Sequence, residues 1–134
     1  MSGIYTFGVK SDLHTAMIDI TQKVQDIVKE SNVKQGICMI FIPHTTAAVT
    51  INENADPDVL RDFMMEVNKL VPMSDGYRHG EGNSAAHIKS SIIGFSETVI
   101  IEEGRLLLGT WQGIYFMEFD GPRIRKVQVK ITEG

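Results

Sequence analysis

The chain has 134 residues, 43% of them hydrophobic and 22% charged, with a net charge of −4. That length suits one domain able to bury about two-thirds of its extended surface. The acidic balance and dispersed basic residues argue against nucleic-acid binding, and no stretch reaches the ~20 apolar residues of a membrane-spanning helix.

The N-terminal residues lack a basic segment followed by an apolar run, so a cytoplasmic protein is expected. Residues 3–9, "GIYTFGV", carry β-branched and aromatic side chains and predict a strand. Residues 11–31 predict an amphipathic helix. Leu13, Met17, Ile20, Val24 and Ile27 recur at helical spacing, and Ser11 or Asp12 can cap the N-terminus. His14 falls in the first turn of that helix and reads as a neutral surface residue.

"GICMIFIP" is a continuous apolar run, the pattern of a strand buried on both faces, and Pro43 ends it. It holds Cys38, the single cysteine, which reads as a small core hydrophobe. "HTTAAVTINE" follows as a second β-rich stretch. Asp56 is then a natural N-cap with Pro57 at the first helical position. Leu60, Phe63, Met64, Val67 and Leu70 supply an apolar stripe, and Pro72 closes the element. A polar loop over residues 73–82 leads into a short helix from Asn83 or Ser84, with Gly94 at its end. "TVIIE", "RLLLGTW" and "GIYFMEFD" predict strands divided by "EG" and "QG" turns. "DGPR" turns the chain into a last strand, where Val127, Val129 and Ile131 alternate with polar residues. The sum is one α+β domain, a compact, mostly antiparallel structure with about seven strands and about three helices. Its unpaired sheet edges point to an oligomer.

Three of the four histidines, His44, His79 and His87, fall at element boundaries, where clefts are built. Three imidazoles with an open fourth position form a known catalytic zinc arrangement, and Glu81 could handle a proton beside His79. Spacing leaves the alternative of separate surface rings open. His79-Gly80-Glu81 matches the H-x-E piece of zinc deaminases, but one cysteine cannot complete that motif. Gly80, Gly82 and Asn83 permit a loop of inward-pointing N–H groups at a helix N-terminus. Arg78 and Lys89 flank it, an arrangement suited to a phosphate or carboxylate, although a solvated turn with a capping Asn explains it as well. Helix capping accounts for Asp56 and Asp58, leaving Asn52 and Glu53 open. Trp111, beside Gln112 in "GTWQG", is suited to an interface or to stacking on a flat ligand.

"HTTAAVTINENADPDV", "YRHGEGNSAAHIKSSIIG", "LGTWQGIYFMEFDGPR" and "VQVKI", in that order, resemble the YjbQ-like family from about residue 4 to residue 131. The resemblance implies a compact α+β fold with a β-sandwich-like core, a homotrimer and a secondary thiamine-phosphate synthase activity. Its pattern lands on His44, Thr45, Thr46, Asn52, Glu53 and Asp56. It lands also on His79, Glu81, Asn83, His87, Gly109, Gln112, Asp120 and Arg123.

The expected function is therefore a metal-dependent enzyme acting on a small phosphorylated or anionic substrate. His44, His79 and His87 would hold a divalent metal, zinc or, for a diphosphate substrate, magnesium. His79 and Glu81 would be catalytic. Arg78, Asn83, Lys89, Trp111, Gln112 and Arg123 would contact substrate. The alternative is a non-enzymatic trimer binding a metabolite or a partner, with the histidines serving assembly.

Overall fold

The computed structural model describes residues 3–134. Eight strands and three helices follow in the order β1 (Ile4–Lys10), β2 (Ala16–Asp19), α1 (Thr21–Ser31), β3 (Gln35–Phe41), β4 (Ala47–Glu53), α2 (Pro57–Leu70), α3 (Ser84–Ile93), β5 (Ser96–Glu102), β6 (Arg105–Leu106), β7 (Gln112–Glu118) and β8 (Ile124–Glu133). The strands form a five-stranded sheet, β1-β8-β3-β5-β6, and a three-stranded sheet, β2-β7-β4. Every pairing is antiparallel. The expected α+β class and the three helices are thus what the chain adopts.

The two sheets enclose the main core. Cys38, Ile40, Val127 and Val129 from the larger sheet meet Val49, Ile114 and Phe116 from the smaller one, and α1 adds Val24 and Val28. Alternation along β7 sends Tyr115 and Met117 to the opposite face, where Leu60, Phe63 and Val67 of α2 and Ala86 of α3 cover them. Strand β7 is therefore buried on both sides.

Strand β3 is not, contrary to the reading of "GICMIFI". Its residues alternate strictly between buried and exposed, and Ile37, Met39 and Phe41 face outward. Among the described residues no helix covers that face of the larger sheet, so hydrophobicity alone could not assign it to the interior.

The first helix is shorter than its apolar stripe suggested. Residues 16–19 pair with β7 instead, with Met17 opposite Met117 and Ile18 opposite Phe116. Leu13 is 64% exposed, so the N-terminal part of the stripe had no core to face. Asp19, not Ser11 or Asp12, accepts the hydrogen bond from the Thr21 N–H at 2.9 Å. Helix α2 starts where expected, Asp56 accepting from the Asp58 N–H at 2.9 Å with Pro57 beside it. The strand expected over "RLLLGTW" shrinks to β6, where Arg105 and Leu106 pair with Glu102 and Ile101, and the last bond to β5 runs from the Leu107 N–H to the Ile100 carbonyl at 2.8 Å.

Candidate functional site

A buried ion pair organises one end of the two sheets. Glu118 ends β7 with no exposed surface, and Arg125 of β8 is 4% exposed. Arg125 donates from Nε to Glu118 Oε1 at 2.9 Å and from Nη2 to Glu118 Oε2. Glu118 also accepts from the Ser11 hydroxyl at 2.8 Å and the Asp120 N–H at 3.0 Å. Burial pushes the Glu118 carboxyl up. The Arg125 hydrogen bonds, the Asp120 N–H and the Ser11 hydroxyl outweigh it and hold the group below its usual range. Arg125 Nη2 further donates to Thr46 Oγ1 at 2.8 Å and to the Thr46 carbonyl at 3.3 Å. One buried pair thus ties the loop after β3 to the turn after β7.

That turn carries Asp120 and Arg123. Asp120 Oδ2 accepts from Asn83 Nδ2 at 2.9 Å and from Arg123 Nη2 at 3.0 Å, and these bonds hold its carboxyl below the usual range against the upward push of burial. Gly121 is required here by close approach. A Cβ at that position would stand 2.2 Å from the Leu13 carbonyl oxygen.

His44, His79 and His87 then meet around one open cleft of about 470 Å³, shared with Thr45, Thr46, Glu81, Asn83, Asp120, Arg123 and Arg125. The His79 and His87 rings pack edge to face with centroids 5.4 Å apart. Glu81 Oε1 lies 3.9 Å from His79 Nε2. His44 Nε2 accepts a hydrogen bond from the Lys126 N–H at 2.9 Å. Burial, and then the charge of Arg125, lower the His44 pKa from its ordinary value. Larger hollows lie against α1 and beside the end of β8, but they hold no histidine. Chemistry, not size, marks the cleft.

Several expected contributors lie elsewhere. Lys89 is only 2% exposed, and its ammonium donates to Asn68 Oδ1 at 2.5 Å and sits over the Phe119 ring. It faces the α2 side of α3 because its stem packs between the two helices, so it cannot flank an anion in the cleft. Trp111 lies in the turn before β7 and Gln112 opens that strand, and neither lines the cleft; Gln112 Oε1 accepts from the Gly109 N–H at 2.8 Å. Arg78 lines a smaller adjoining hollow with Tyr77, His79, His87 and Ile88. In the loop, Gly82 takes a positive φ of 78°, whereas Asn83 has φ −119° and makes no side-chain capping bond. Its amide is committed to Asp120, leaving the α3 N-terminus uncapped beside the cleft and the Asn83 Oδ1 atom buried without a partner. The acidic "NENADPD" is structural, as Glu53 Oε2 accepts from the Asp56 N–H and Asn52 Oδ1 from the Glu53 N–H.

The three histidines do not form a ligand set as they stand. Among the described residues no three His, Cys, Asp or Glu side chains converge closely enough to hold a metal ion. His44 also spends its Nε2 lone pair on Lys126. Cys38 is buried in the core with its thiol pushed up to about 12 by desolvation, which removes it as a nucleophile.

Sequence reasoning missed Ser11, Glu118 and Arg125, whose types alone signal nothing. It also set His14 aside, yet His14 Nε2 stands 3.8 Å from Asp120 Oδ1 and the His14 carbonyl accepts from the Gly121 N–H.

Fold and cleft together define an antiparallel two-sheet α+β domain with a histidine-lined site at one end of the sheets. The chain belongs to the UPF0047, YjbQ-like protein family, whose model matches residues 5–134. A UPF0047 protein of Methanocaldococcus jannaschii is 50% identical over 128 residues, covering 96% of this chain and 93% of that protein. The UPF0047 protein YugU of Bacillus subtilis is 50% identical over 127 residues, covering 94% and 96%. A crystal structure of an uncharacterised family member from Clostridium acetobutylicum superposes with TM-score 0.94 at 55% identity, covering 96% of this chain and 99% of that one. A protein of unknown function from Sulfolobus solfataricus superposes with TM-score 0.95 at 31% identity, covering 100% and 99%.

Proposed function

We propose that the chain is an enzyme acting on a small phosphorylated or otherwise anionic substrate in the histidine cleft. The convergence of His44, His79 and His87 with Arg123 and the uncapped N-terminus of α3 carries this reading. Both arginines of the cleft already face a carboxylate, Arg123 with Asp120 and Arg125 with Glu118. Oriented N–H donors rather than surplus charge would therefore hold an anion. His79 and Glu81 are the proposed acid and base, with Asn83 and Arg123 contacting substrate and Arg78 reaching the same histidines from the neighbouring hollow. A divalent metal, zinc or magnesium, has its proposed ligands in His79 and His87.

The secondary activity implied by the family resemblance, thiamine-phosphate synthesis, joins a pyrimidine diphosphate to a thiazole phosphate and releases pyrophosphate. Pyrophosphate release by purified protein given both phosphates tests it. A rate lost in His79→Ala and Glu81→Gln supports the reading, and equal rates in all three proteins refute it. Metal analysis of wild type and His79→Ala tests the ion separately.

One observation favours a second reading, a non-enzymatic homotrimer that binds a metabolite or a partner protein. Ile37, Met39 and Phe41 of β3 and Ile100 of β5 lie exposed on the uncovered face of the larger sheet, with Ile37 directly opposite Ile100. Such a contiguous apolar strip suits self-association. Loss of the assembly in His44→Ala by sedimentation would favour this reading over the enzyme.

A further inference from the structure

A backbone N–H can donate only to an unprotonated ring nitrogen, so the 2.9 Å bond from the Lys126 N–H settles which nitrogen of His44 carries the proton. Neutral His44 must hold its hydrogen on Nδ1. The donor is rigid, because Lys126 lies within β8 and pairs with Gly8 of β1. The sheet itself therefore selects the tautomer. The ring lines the cleft, and Nδ1 has no hydrogen-bond partner among the described residues. A metal ligand presents a lone pair, whereas this ring has one lone pair engaged and presents an N–H.

We propose that His44 is a hydrogen-bond donor, through Nδ1–H, to an oxyanion of the bound ligand, a phosphate or carboxylate oxygen, and not a metal ligand. Its neighbours fit that role. Thr46 Oγ1 accepts from Arg125 Nη2, which ties that cleft residue to the buried pair. The Arg123 guanidinium lines the same cleft as a further donor. This inference rests on the reading of the cleft as an anion site.

Two substitutions separate the ring nitrogens. The amide nitrogen of Asn occupies the place of Nδ1, whereas the end of a Gln side chain occupies the place of Nε2. Inorganic phosphate is titrated calorimetrically into wild type, His44→Asn and His44→Gln, and zinc is titrated into the same proteins. Nitrogen-15 NMR of wild type reads the tautomer directly. The expected result is Nδ1–H in wild type, near-native phosphate affinity in His44→Asn, and a loss of about tenfold or more in His44→Gln, as for a hydrogen bond to a charged group. Zinc affinity is expected to match in all three. Zinc binding lost in both variants, phosphate binding equal in both, or an Nε2–H tautomer overturns the proposal. A wild type that shows Nδ1–H but binds no phosphate refutes the anion cleft and the donor role with it, while the tautomer stands.

Discussion

Replacing Arg125 by Met leaves the Glu118 carboxylate in the interior with only the Ser11 hydroxyl and the Asp120 N–H as donors. It also strips Thr46 Oγ1 of its donor and leaves the Thr46 carbonyl with the Phe119 N–H alone. Both charged groups are almost fully buried, so solvent screening does not reduce the effect. Breaking a buried pair from one side costs about 3–5 kcal/mol, against a total of about 5–15 kcal/mol for a domain. Urea unfolding at neutral pH should therefore show Arg125→Met and Glu118→Gln each losing about 3–5 kcal/mol. The double variant should lose less than their sum, because neither leaves the other's charge orphaned. The pH dependence has a definite sign. The folded-state pKa of Glu118 is depressed, so its stabilisation is present above the unfolded value, about 4.3, and is lost as pH falls through the folded one. Glu118→Gln should accordingly flatten the acid limb of the stability profile. A loss below about 1 kcal/mol in both single variants would refute the view that this pair holds the cleft together.

Further outcomes follow from other parts of the fold. Asp56→Ala removes the side-chain cap of α2 and should cost about 1 kcal/mol in chemical denaturation. Phe116→Ala opens a cavity between the sheets and should cost about 3–5 kcal/mol, read the same way. Lys89→Met removes an ammonium that burial holds below its ordinary pKa, and it should leave phosphate affinity unchanged by calorimetry because that side chain faces Asn68, not the cleft. On the proposed self-association reading of that face, Phe41→Lys, which places a charge in the exposed apolar strip of β3, should leave a monomer in sedimentation that is still folded by circular dichroism.

The order of elements was legible because its signals are local. The Asp56-Pro57 cap, the stripe of α2, the Gly94 stop and the alternation of β8 each depend on residues a few positions apart. Local signals also failed where a distant partner decided the outcome. Met17 fits a helical stripe, yet it and Ile18 were taken by β7, whose edge they complete. The apolar run of β3 reads like that of β7, but only β7 has helices on one side and a sheet on the other.

By itself the sequence determined the α+β class and the three helices, and it offered His44, His79, His87, Asn83 and Arg123 as candidates alongside Lys89, Trp111 and Gln112, which lie away from the cleft. Only the tertiary structure decided what those residues do to one another. His44 meets Lys126 across 82 positions, Arg125 meets Thr46 across 79, and Ser11 meets Glu118 across 107. Hydrogen bonding depends on distance and direction in space, neither of which is written in local spacing. That is why Lys89, close in sequence to His87, points into the α2 interface, while Glu118 and Arg125, unremarked in the chain, hold the cleft's two walls together.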